Sequence, residues 1–154
     1  MKLRVLDIVM DTVVDGPGLR ASIYLAGCYH KCPGCHNPQS WDMNGGKEME
    51  VDEIVEILKQ SGHTKFTITG GDPFYQPMGL LELVVRIRKE IPGSNIWCYT
   101  GFLFEDLLDR EEMVLILKNI DVLVDGPFIQ ELRDETLMYR GSSNQRVLEI
   151  PKDL

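Results

Sequence analysis

The sequence predicts an α/β fold built on a mainly parallel β-sheet. Segments rich in β-branched and aromatic residues alternate along the chain with segments whose apolar residues recur at helical spacing. Such alternation is typical of βαβ units, in which a helix crosses over between two parallel strands. Loops rich in glycine, proline and aspartate follow the strands, at the end of a parallel sheet where ligands bind. We therefore expect a ligand site at one rim of the sheet.

Five strands and three helices are expected in chain order. The strands are segments 20–26, 65–69, 95–100, 120–124 and 146–150. The helices are segments 51–60, 77–90 and 102–117. The first helix has an apolar stripe from Val51 to Leu58, and the second begins at Pro77, which suits a first helical turn. The third is expected to break near Asp109. No repeat or linker is visible, so residues 1–154 are expected to form a single domain.

Charge and hydropathy argue against two kinds of partner. The formal net charge is −8 at pH 7, whereas a nucleic-acid-binding surface needs a basic footprint. No apolar run approaches the roughly 20 residues that span a bilayer. The first residues mix charges with apolar side chains and lack the apolar core of a signal peptide. We therefore expect a cytoplasmic protein with reduced thiols and neither a nucleic-acid nor a membrane partner.

A cluster of cysteines is the most informative local pattern. Three of the four cysteines fall within eight residues, at Cys28, Cys32 and Cys35. Thiolates this close can hold a four-iron cluster by three corners and leave the fourth iron open to another ligand. The alternative is a zinc site completed by His30 or His36, although structural zinc sites usually combine two separated pairs of ligands. Cys98 stands alone in an expected strand and is interpreted as a buried apolar residue.

The C-x3-C-x2-C spacing resembles the signature of radical S-adenosylmethionine (SAM) enzymes. In that family the three Cys bind a [4Fe-4S] cluster, and the methionyl amino and carboxylate groups of SAM chelate the fourth iron. One electron from the cluster cleaves the sulfonium and releases a 5′-deoxyadenosyl radical. The resemblance implies these two cofactors, no general acid or base, and a truncated, half-open barrel of about four βα units. A complete barrel takes roughly 250 residues, more than the 154 present.

Other motifs resemble the parts of this family that contact SAM. The segment ITGGDP resembles a GGE motif whose carboxylate contacts the methionyl amino group, with Asp72 in place of the longer Glu. Alternatively, Asp72 caps a strand-to-helix turn. Gly34 stands where many members carry an aromatic residue, and His36 could take up part of that contact. By resemblance, the expected neighbours of SAM are Gly34, Cys35, His36, Gly70, Gly71, Asp72 and Thr100.

Two further motifs narrow the family. DGPGLR, residues 15–20, resembles the activating enzymes of glycyl-radical proteins, which abstract hydrogen from one glycine of a large partner. Residues 121–134 and RGSSNQRV, residues 140–147, resemble the small activating protein of anaerobic (class III) ribonucleoside-triphosphate reductase. This implies two partners, the large reductase subunit with its glycine loop and a low-potential electron donor such as flavodoxin. A place near the rim is a hypothesis for Arg140, Asn144 and Arg146.

Three other functions stay open at this point. The chain could activate another glycyl-radical enzyme, such as pyruvate formate-lyase, although its short length and RGSSNQR segment count against this. It could be a small radical enzyme acting on a free metabolite. A non-catalytic, zinc-binding interaction module with a Cys3His site represents a different class.

Overall fold

The computed structural model describes residues 1–28 and 42–154. Within them, seven strands form one sheet in the order β3-β1-β2-β4-β5-β6-β7. The strands are β1 (Lys2–Thr12), β2 (Arg20–Leu25), β3 (Lys47–Glu50), β4 (Lys65–Gly70), β5 (Asn95–Tyr99), β6 (Val122–Asp125) and β7 (Arg146–Glu149). The helices are α1 (Val51–Ser61), α2 (Pro77–Glu90), α3 (Phe104–Leu107) and α4 (Glu111–Lys118). Two 3₁₀ turns, Pro73–Tyr75 and Gln130–Leu132, complete the secondary structure of this part.

The sheet is mixed, which corrects the expectation of a mainly parallel one. Strands β2, β4, β5 and β6 run parallel, as the βαβ pattern predicts. Strand β1 is antiparallel to β2 and β3, and β7 is antiparallel to β6. The connection 13–19 between β1 and β2 is too short for a crossover, because parallel neighbours need about a dozen residues or more. The outer strands therefore pair antiparallel around a parallel centre.

The helices cover one face of the sheet. Alternate strand residues such as Ile23, Phe66 and Ile68 are fully buried against the apolar faces of α1, α2 and α4. The other face carries polar and aromatic side chains, with a small cluster around Trp97 and Val124. This alternation follows from the two-residue period of a strand, which sends successive side chains to opposite faces.

Most elements expected from periodicity are confirmed. Helix α2 spans the expected residues, and segment 102–117 breaks into α3 and α4 around Asp109. Strands β1 and β3 were not expected. β1 has four charged residues and buries only Leu3 and Val5, and in β3 only Met49 is apolar, so charged side chains interrupt the strand pattern of both. In residues 1–28 and 42–154, no helix has both the length and the apolar character that crossing a bilayer requires.

Candidate functional site

A cleft of about 550 Å³ lies at the carboxyl ends of the parallel strands. Its lining includes the segments that follow β2, β4, β5 and β6, represented by Cys28, Gly71, Thr100 and Gly126. Ligands of open α/β sheets bind at such strand ends, and this volume lies within the range of small-molecule pockets. The structure therefore has a cleft at the rim of the sheet where the sequence predicts a ligand site.

The cleft brings together part of the predicted site. Cys28, Gly70, Gly71 and Thr100 line it, and Asp72 follows Gly71 in the chain. Cys28 is 9% exposed, so this residue is largely buried in the wall of the cleft. Cys32, Gly34, Cys35 and His36, together with His30, lie outside the described residues. A thiol in this wall fits an iron–sulfur ligand, because such clusters are bound by cysteine thiolates.

The end of β4 is held tightly against the segment that leads to Cys28. Gly71 N donates to Leu25 O at 2.8 Å, and Asp72 N donates to Gly27 O at 2.7 Å. Gly70 has φ +113°, and a Cβ there would lie 2.3 Å from Leu25 O. Only glycine permits this approach of two backbones. The double glycine consequently places its main chain next to Cys28.

Asp72 links the ends of β4 and β5. Its carboxylate is fully buried. Phe74 N donates to Oδ1 at 3.0 Å, which caps the 3₁₀ turn Pro73–Tyr75. Thr100 Oγ1 lies 3.0 Å from Oδ1 and 2.9 Å from Oδ2, and Gly101 N donates to Oδ2 at 2.9 Å. The structure thus confirms the capping interpretation and adds a bridge to Thr100, while direct contact of Asp72 with SAM stays a prediction.

Arg20 fixes the DGPGLR segment across the polar face of the sheet. The side chain is fully buried. It donates to Pro17 O at 2.8 Å, Phe66 O at 2.9 Å and Asn95 Oδ1 at 2.7 Å. The guanidinium also lies 5.5 Å from the Trp97 ring, a cation–π distance. Burial lowers the pKa of Arg20 from its ordinary value. Arg20 therefore ties the DGPGLR segment, which supplies Asp15 to the cleft lining, to strands β4 and β5.

Asp15 and Tyr24 are cleft residues that sequence reasoning did not assign. The Asp15 carboxylate accepts from Tyr24 OH at 2.7 Å and Ser22 Oγ at 3.1 Å. Burial, followed by this hydrogen bond, raises the pKa of Tyr24 well above its ordinary value. The tyrosine hence keeps its proton over the physiological range. Strand alternation offered a signal, since Tyr24 shares a face with Arg20 and Ser22.

The RGSSNQR segment folds around the end of β6. Asn144 Nδ2 donates to Pro127 O at 2.8 Å, and Gln145 Nε2 donates to Gly126 O at 3.0 Å. Arg146 Nε donates to Asp125 Oδ1 at 3.0 Å, and this arginine also pairs with Glu105. Asp125 is fully buried, so Arg146 supplies its counter-charge. Nearby in this segment, Arg140, Gly141 and Gln145 line the cleft, which places part of the motif at the expected rim.

Comparison with known proteins relates the sequence of this chain to one family. A profile of the 4Fe-4S single cluster domain matches residues 14–148. The anaerobic ribonucleoside-triphosphate reductase-activating protein of Escherichia coli (strain K12) is 42% identical over 143 residues, covering 88% of this chain and 91% of that protein. The protein of the same name from Vibrio cholerae is 40% identical over 141 residues, with 86% and 89% covered. That of Enterobacteria phage T4 is 37% identical over 140 residues, with 87% and 86% covered.

A solved structure supports the fold alone. QueE from Escherichia coli superposes with a TM-score of 0.54 at 18% identity, covering 65% of this chain and 52% of that chain. The family profile, by contrast, matches residues 14–148, a range that contains the DGPGLR, cysteine and RGSSNQR segments of this chain. The chain therefore belongs to the family of anaerobic ribonucleoside-triphosphate reductase-activating proteins, with a 4Fe-4S single cluster domain.

Proposed function

We propose that this protein activates the anaerobic ribonucleoside-triphosphate reductase by generating the glycyl radical of its large subunit. One observation carries the proposal: a single cleft joins Cys28, the Gly70-Gly71 backbone and the RGSSNQR segment. These belong to three motifs separated in sequence, and each resembles a part of the same activating family. Relatives that carry the activating name match 88% of the chain at 42% identity.

Cys28, Cys32 and Cys35 are the residues proposed to bind a [4Fe-4S] cluster. Such a cluster would supply the one electron needed to cleave SAM into methionine and a 5′-deoxyadenosyl group, and that group would take a hydrogen atom from the partner's glycine. The products are methionine, 5′-deoxyadenosine and the glycyl radical. The protein's own part is to bind, orient and exclude water, as in other cofactor enzymes. No side chain of the chain has to act as a general acid or base.

The proposed neighbours of SAM divide into backbone and side-chain groups. Gly70 and Gly71 offer main-chain groups at the end of β4, where no side chain intervenes. Thr100 lies at the end of β5, held by the Asp72 carboxylate. Gly34, Cys35 and His36 are proposed neighbours from the cysteine segment. Asp72 is proposed to orient the site from its buried position, and its reach toward the methionyl amino group is an additional proposal.

We further propose that the sheet is a truncated, half-open barrel within one domain, residues 1–154. Its four parallel central strands and its polar face opposite the helices support this. Fully buried polar residues on that face include Arg20, Ser22 and Thr67. A partner that presents a glycine loop would close the open side. The electron would come from a low-potential donor such as flavodoxin, and the setting would be the cytoplasm.

Radical formation with a defined partner tests this function. The chain is expressed anaerobically with iron, reduced, and mixed with SAM and the large reductase subunit. A glycyl doublet in the electron paramagnetic resonance spectrum is expected. Cys28→Ala should abolish the doublet, whereas Cys98→Ala should retain it, because Cys98 is buried in the helix-covered core.

Two controls identify the outcome. Pyruvate formate-lyase replaces the reductase subunit in a parallel sample, and a doublet there alone would assign the chain to another activating class. A known reductase-activating protein confirms that the subunit is competent. No doublet with either partner, from a chain loaded with one zinc rather than iron, would refute the enzyme in favour of a zinc-binding module.

A further inference from the structure

We propose that Arg140 binds the partner polypeptide, donating hydrogen bonds to a carbonyl or carboxylate oxygen of the segment that enters the cleft. This inference rests on the proposed function and assigns a role to one side chain of the RGSSNQR segment. Charge distinguishes Arg140 from most residues of the cleft. Among the described residues that line the cleft, Asp15 and Arg140 are the charged ones. The Asp15 carboxylate is already bonded to Ser22 and Tyr24.

Arg140 keeps unused donors, unlike the two arginines described above. Its Nη1 donates to Gln145 O at 2.7 Å, and within residues 1–28 and 42–154 neither Nε nor Nη2 has a hydrogen-bond partner. In Arg20 and Arg146, by contrast, all three guanidinium nitrogens donate, in Arg20 to main-chain and side-chain oxygens and in Arg146 to two carboxylates. A guanidinium carries five N–H groups in a planar fork. Arg140 consequently keeps unbonded donors on a side chain that belongs to the cleft lining.

The surrounding motif holds Arg140 in place. The Gln145 side chain accepts from Gly141 N at 2.9 Å and Ser142 N at 3.1 Å, while its main-chain oxygen accepts from Arg140. Asp134 is an acidic neighbour, but its carboxylate already accepts from Thr136 N at 2.9 Å and from Thr136 Oγ1 at 2.5 Å. These bonds lower the pKa of Asp134 more than the charge of Arg140 does. A restrained guanidinium loses less freedom on binding than a mobile one, which favours recognition.

Strand order favours the partner over the carboxylate of SAM as the acceptor. The cysteine segment begins after β2, whereas RGSSNQR is bonded to Gly126 and Pro127 after β6. Strands β2, β4, β5 and β6 are successive neighbours. At about 4.8 Å per strand, the ends of β2 and β6 are separated by roughly 14 Å measured along the sheet. A methionyl carboxylate at the cluster would lie on the β2 side. Arg140 is therefore suited to an oxygen arriving from outside.

Binding measurements on the anaerobically reconstituted full chain test the assignment. Arg140→Gln should weaken binding to the large reductase subunit by tenfold or more, because buried arginine contacts dominate many interfaces. Arg140→Lys should fall between it and the wild type, since lysine keeps the charge but loses the planar fork. Arg133→Gln is the matched control. Arg133 lies in the same β6–β7 connection, is exposed and pairs with Glu135. Its variant should bind like the wild type.

Affinity for SAM, measured by equilibrium dialysis on the same samples, separates the possible results. Unchanged SAM affinity with weakened subunit binding supports the proposal and shows that Arg140→Gln is folded. Subunit affinity within twofold of the wild type overturns it, as does a parallel loss of SAM affinity. If the wild type activates the reductase while Arg140→Gln binds normally, this inference alone fails. If the wild type neither binds nor activates the subunit, the proposed function fails as well.

Discussion

Replacing Asp72 with Asn tests whether this carboxylate organises the rim of the cleft. The substitution keeps the shape of the side chain but turns one acceptor oxygen into an NH2 group. In the wild type, Oδ1 accepts from Phe74 N and Oδ2 accepts from Gly101 N, at 3.0 and 2.9 Å. Whichever way the amide turns, one of these backbone N–H groups faces a donor. Thr100 Oγ1 can still donate to the remaining oxygen.

The expected cost follows from these contacts. Losing a hydrogen bond to a charged acceptor and leaving a buried donor without a partner costs about 2–3 kcal/mol. For a chain of this size the unfolding midpoint should fall by roughly 4–12 °C. The position of Thr100 should also loosen, so affinity for SAM is expected to decrease. Asp109→Asn is the control, because Asp109 is exposed and no hydrogen bond of its carboxylate is seen in the described part of the chain.

Differential scanning calorimetry of the anaerobically loaded protein measures the shift. Asp109→Asn should remain within about 1–2 °C of the wild type, as surface changes usually do. If Asp72→Asn also stayed within that range, the hydrogen bonds of Asp72 between the ends of β4 and β5 would not contribute to stability, and the reasoning would be refuted. An equal loss in both variants would point to net charge rather than to the buried hydrogen bonds.

Three further predictions follow from described contacts. Burial raises the pKa of the Cys98 thiol and hides it from reagents. In a variant whose other cysteines are replaced, iodoacetamide should therefore label Cys98 after unfolding but not before. Rapid labelling of the folded protein would contradict this. Arg146→Gln leaves the buried Asp125 carboxylate without its counter-charge, and the free energy of unfolding in urea should fall by about 2–4 kcal/mol. This is less than for a fully buried pair, because Arg146 is 39% exposed. An unchanged unfolding midpoint would refute the pairing. The hydrogen bond from Arg146 lowers the pKa of Glu105 from 4.5 to about 2. Its stabilising effect should be complete above about pH 5 and fade as the pH falls toward 2, so the stability gap to Glu105→Gln should close on acidification.

The contacts of Asp72 show which roles of a residue a sequence motif can predict. The sequence placed it after a double glycine and offered two roles, a SAM contact and a turn cap. The turn cap is a local contact, two residues along the chain, and it is confirmed. The bond to Thr100 spans 28 residues and depends on β4 and β5 being neighbours. Local spacing contains no information on that pairing, so only the fold could reveal it.

The arginines of RGSSNQR make the same point. In sequence, Arg140 and Arg146 look equivalent, two cations in one polar loop. In the structure Arg146 is bonded to Asp125, which is fully buried, while Arg140 keeps free donors at the cleft. The difference arises because β7 pairs with β6 and sets Arg146 opposite Asp125. Their proposed roles therefore separate into support and recognition.

Family, activating-enzyme class and most core elements were determined by the sequence alone. Cysteine spacing, helical apolar stripes and strand-like runs are local patterns, because each is formed by residues close together in the chain. Only the tertiary structure decided the antiparallel outer strands, the hydrogen bonds of Arg20 and the cleft that the separate motifs line together. They depend on which strands lie side by side, and burial of a whole sheet face determines this rather than any one segment. For this reason, the family could be predicted from the chain, whereas the arrangement of the cleft required the fold.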